Sequence, residues 1–144
     1  MRSLAGPILA SVLVLFGLLV PGAATAQSAE AELRGYDALW LAAIGDLLAA
    51  SSVAPATPDA PPGKVSFAQA NAALNQHVGQ LLEAAPPAAR LRQHLVLLPL
   101  LAEATAALQA VADAAAAGDA GELAAARDWL VDACERLRTE AAGL

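Results

Sequence analysis

Large apolar residues recur at steps of three and four in four separate stretches of the chain, the spacing of a buried helical stripe. The first stretch, about 29–50, carries Leu33, Tyr36, Trp40, Ile44 and Leu47. The second, about 66–85, carries Phe67, Ala70, Leu74, Val78 (or His77) and Leu81. The third and longest runs from about 87 to 117. The fourth, about 120–142, carries Leu123, Ala126, Leu130, Cys134 (or Ala133) and Leu137.

The joints carry matching chemistry. Ser66 followed by Gln69 reads as a capping box, with Val65 placed as a hydrophobic staple. Pro86-Pro87 ends the second helix and opens the third, because proline is tolerated in a first turn. Gly118 suits a helix C-terminus, and Asp119 with Glu122 forms a second capping box. Only the segment 51–65, with four prolines and no period, reads as a long loop. Short joints at 85–87 and 118–119 predict antiparallel neighbours. The expected fold is all-α, an antiparallel up-down-up-down four-helix bundle in one domain, 27–144.

The first residues follow a different logic. Arg2 precedes an uncharged apolar run, 8–20, then Pro21-Gly22 and the small residues Ala24-Thr25-Ala26. That order is the layout of a cleavable signal peptide, 1–26, with Gln27 as the first mature residue. Even 4–20 gives only 17 apolar positions, short of the roughly 20 that span a bilayer. The expectation is therefore an exported, periplasmic or secreted, protein without a stable membrane anchor once the signal is cleaved.

Composition sharpens this picture. Hydrophobic residues make up 58% of the 144. In the 118 expected mature residues, 35 are Ala and only seven are Val or Ile, which argues against a sheet. Alanine is the best helix former and lets helices approach closely. The mature chain has 7 basic and 14 acidic residues, a formal charge of −7, unsuited to nucleic acid or anionic lipid. Cys134 is the one cysteine, so an intramolecular disulfide is excluded; mid-stripe, it reads as a buried free thiol.

Candidate chemistry is sparse. No Gly-rich phosphate loop, nucleophile elbow or metalloprotease helix is present, and a non-enzymatic protein without a cofactor is expected. His77 and His94 fall equally far from the joint near 85–86 and would meet across a hairpin. They are the polar handles of an alternative reading, a small carrier of a metal, haem or apolar ligand in the bundle core. Leu74 and Leu91, three residues before each histidine, supply no carboxylate to such a centre.

The seven apolar residues 95–101, interrupted by Pro99, exceed any single stripe. Either the third helix is covered on all sides, or the outer side of this run receives a partner or a second copy. Leu97, Leu100, Leu101 and the off-stripe Trp129 are the candidate partner-binding residues. The resulting expectation is an exported interaction or structural module. Asp132–Arg136 and Glu135–Arg138 have the spacing of solvated surface pairs.

Overall fold

A computed structural model describes residues 21–59 and 66–144. Among the described residues it is all-helical: α1 (Pro21–Val53), α2 (Phe67–Glu83), a short 3-10 turn (Ala88–Arg90), α3 (Leu91–Ala117) and α4 (Ala120–Ala141). The apolar run of the expected signal peptide, 8–20, and the proposed staple Val65 lie outside the described residues.

The helix ends follow the local sequence. The Ser66 hydroxyl accepts from the Gln69 amide at 3.2 Å and opens α2. Gly118, at φ 71°, closes α3 in the left-handed conformation that glycine adopts without a Cβ penalty. The Asp119 carboxylate accepts from the amides of Gly121 and Glu122, both at 3.0 Å, and opens α4. The 3-10 turn supplies the entry into α3, where Arg90 N–H donates to the Pro87 carbonyl at 2.7 Å. Pro99 sits exposed within α3, which continues through it to Ala117.

α1 is longer than its stripe predicts. It begins at Pro21 rather than near residue 29, and residues 21–26 are helical where a break and a cleavage site are expected. Proline at a first helical position costs nothing, and the alanines that follow favour the helix. The same helix continues past residue 50 to Val53, shortening the expected loop.

One continuous cluster of buried residues joins the four helices. Trp40, Leu47, Leu74, Leu81, Leu97, Leu101, Leu108 and Val111 are fully buried within it. On α4 the stripe passes through Ala133, and Cys134 lies half-buried beside it. α3 packs along α4, α2 packs along α1, and α1 bridges to α3 and α4. Among the described residues α2 and α3 make no comparable contact, although only the Pro86-Pro87 joint and one 3-10 turn separate them. The fixed φ of two consecutive prolines and the 3-10 turn carry the chain away from the tight hairpin that so short a joint suggests.

Candidate functional site

Four small polar clusters and one open seam surround this core. At one end α1 meets the start of α3. Tyr36 and His94 are hydrogen-bonded through the phenol and Nδ1, and the Trp40 indole stands edge-on to the same imidazole with ring centres 6.0 Å apart. Just outside, Arg90 grips Asp37 in bidentate fashion, Nε to Oδ1 at 2.8 Å and a terminal nitrogen to Oδ2 at 2.6 Å. That pair raises the Arg90 pKa above its ordinary value, burial opposing it. Trp40 Nε1 is buried without a hydrogen-bond partner among the described residues.

The two histidines find different partners. His77 on α2 meets Asp46 Oδ2 through Nδ1 at 2.6 Å, whereas His94 meets Tyr36. Asp46 and Tyr36 are ten residues apart on α1, about 15 Å of helical rise. The expected meeting of His77 with His94 is thus replaced by two separate contacts with α1, because α1 rather than α3 packs on α2. No group of three or more His, Cys, Asp or Glu with metal-ligand placement occurs among the described residues.

Cys134 faces α1, with its sulfur 3.8 Å from the Ser51 hydroxyl. Burial pushes its thiol pKa up, and the Ser51 contact opposes that in part. Cys134 and Ser51 form part of the wall of a groove of about 250 Å³ between α1 and α4.

On the α3–α4 side, Glu103 accepts from Arg136 at 2.6 and 3.0 Å and from the Trp129 indole at 3.2 Å. The Arg136 and Trp129 bonds hold the Glu103 carboxyl below the usual carboxylate range against the opposing effect of desolvation. Asp132–Arg136 and Glu135–Arg138 form as surface pairs, as their spacing predicts. The cross-helix link to Glu103 was not legible, because nothing in a single sequence marks which residue of α3 stands opposite Arg136.

The apolar run 95–101 divides by side. Leu97 and Leu101 are 0% exposed, so they are core residues rather than the surface contacts expected of them. Their positions fall on the α3 stripe with His94, Ala104 and Leu108, which turns them inward. Leu100 is half-buried and helps line a second groove with Val96, Pro99 and Arg136. Trp129 is 40% exposed, with its ring nitrogen bound to Glu103.

The outward residues of the run are Leu95, 64% exposed, and Val96. Leu91, one turn before Leu95, and Leu82, in the last turn of α2, are exposed as well. Leu82, Leu91 and Leu95 therefore flank the joint where α2 and α3 fail to pack, whereas Val96 turns toward α4.

By length and composition alone, two helical stretches, Ala23–Val53 and Ala88–Ala117, are apolar enough to cross a membrane. Comparison of the chain with protein-family models, with curated proteins and with solved structures finds no match.

Proposed function

We propose that this chain is an exported, non-enzymatic helical module that works through protein contacts at the open seam between α2 and α3. The observation that carries this reading is the exposure of Leu82, Leu91 and Leu95 on the two sides of one joint. Apolar area left in water forgoes about 25 cal/mol per Å² of stabilisation, and large apolar side chains exposed together at one joint are a reason to look for an interface there. Acidic overall charge makes a protein surface the fitting partner, in preference to nucleic acid or anionic lipid.

The topology belongs to the same reading: four helices running up, down, up, down. Its support is the falling order of partners. On α1 and α4, Ser51 meets Cys134 while the later Ala54 meets the earlier Arg127. On α3 and α4, the early Val96 shares a groove with Thr139 and Glu140, while Glu103 bonds Trp129 and Arg136. Export rests on the charged start, the apolar run and the Ala24-Thr25-Ala26 site, and an exported chain with an intact mass beginning at Gln27 is the result it requires.

The seam is tested by sedimentation equilibrium and by photo-crosslinking from position 95 in the producing cell. Self-association gives a mass that rises with concentration in the native chain and not in Leu95→Asp of unchanged helicity. A heterologous partner gives a discrete crosslinked protein. Constant mass together with no adduct would overturn the reading.

A further inference from the structure

The groove between α1 and α4 reverses the charge balance of the chain around it. The whole sequence has 14 acidic against 8 basic residues. The groove has Arg127 and Arg138 against one carboxylate, Glu135. Its apolar lining is Leu48, Leu130, Val131 and Cys134. From Arg127 to Arg138, α4 rises about 16 Å, and three of those apolar residues lie between the two arginines.

The two guanidinium groups differ in their commitments. Arg127 donates to the Pro55 carbonyl at 2.8 Å and to the Ala54 carbonyl at 3.4 Å, which fixes it at the end of α1. Arg138 is held by a single 3.4 Å contact with Glu135 and is largely exposed. A planar guanidinium with donors uncommitted among the described residues is suited to bidentate capture of a carboxylate.

The groove's size narrows the occupant further. Pockets for drug-sized ligands run to about 300–1,000 Å³. A groove of about 250 Å³ lies just below that range and suits one slim chain. We propose that this groove binds a linear alkyl carboxylate, its tail along Leu48, Leu130, Val131 and Cys134 and its head on Arg138. Burial of the tail supplies the affinity, and the arginines select the sign of the head. A small inorganic anion lacks the tail, and an alkylammonium meets two like charges. The site lies on α1 and α4, away from the seam of the proposed interface, and stands independently of it.

Cys134 is a built-in reporter. In the purified full chain, decanoate is expected to slow alkylation of Cys134 by iodoacetamide in a saturable way, with half-effect at or below about 1 mM. Butyrate and decyltrimethylammonium at the same concentrations leave the rate unchanged. Arg138→Gln, at an exposed position, weakens protection about three- to fivefold, and Val131→Asp on the open rim abolishes it, with far-UV circular dichroism unchanged throughout. Absence of protection by decanoate, or equal protection by the alkylammonium, overturns the proposal. So does protection that Arg138→Gln leaves intact, or that appears only as helicity changes.

Discussion

Tyr36 and His94 join α1 to α3 through a buried hydrogen bond between the phenol and Nδ1. Tyr36 is 7% exposed and His94 9%, so neither exchanges readily to water. Tyr36→Phe leaves His94 Nδ1 inside the protein without this partner, and the expected loss is about 1–3 kcal/mol. Urea unfolding followed by circular dichroism measures it. A loss below about 0.5 kcal/mol would mean that the pair adds nothing to the docking of α1 on α3.

Neighbouring leucines of the apolar run differ in what they stabilise. Leu97→Ala empties a fully buried position and should cost about 2–5 kcal/mol. Leu95→Ala, two residues earlier and exposed, should stay within about 0.5 kcal/mol. The same unfolding experiment on both variants checks the assignment of sides, and comparable losses would contradict it.

Glu103 gives the α3–α4 contact a pH dependence. Its carboxyl pKa is lowered in the folded chain by Arg136 first and Trp129 second, from an ordinary value of 4.5. A lowered carboxyl pKa contributes stability that is present above the ordinary value and lost as pH falls through the folded one. Native stability should therefore drop on acidification below about pH 4.5, and Glu103→Gln should flatten that drop. Thermal melts between pH 6 and pH 3 decide it: parallel profiles would remove Glu103 from the account.

The turn between α3 and α4 depends on two adjacent residues of opposite kind. Asp119→Ala removes a carboxylate that satisfies two amides, at a cost of about 1 kcal/mol. Gly118→Ala forces a side chain into a backbone angle of 71° and should cost about 1–2 kcal/mol, although open space surrounds the position. A folded double mutant indistinguishable from the native chain in stability would show that packing alone sets this turn.

Much of the fold was written locally. Ser66, Gly118 and Asp119 announce their caps because capping involves only residues within one turn. The α2 and α4 stripes were readable because a helix of known period must bury one face. What failed was long-range. Reflecting His77 and His94 about the Pro86-Pro87 joint assumed that adjacent helices pack together, whereas α2 lies against α1. The bidentate Asp37–Arg90 pair spans 53 positions and carries no local mark. For the run 95–101 the sequence left two readings open. Once the stripe through His94 and Ala104 is known, Leu97 and Leu101 turn inward and Leu95 outward.

The core begins at Tyr36, ten residues after Ala26 and nine after Gln27. Every buried side chain named above lies beyond the expected cleavage point. Among the described residues, the buried core thus lies wholly in the part of the chain expected to remain after cleavage, whereas 21–26 add only the exposed first turns of α1. If the leader directs export through a channel for unfolded chains, translocation must outrun formation of this core, because the precursor already carries the residues that build it. Destabilising the core, by Leu97→Ala for instance, should then raise the exported fraction while lowering the stability of what arrives.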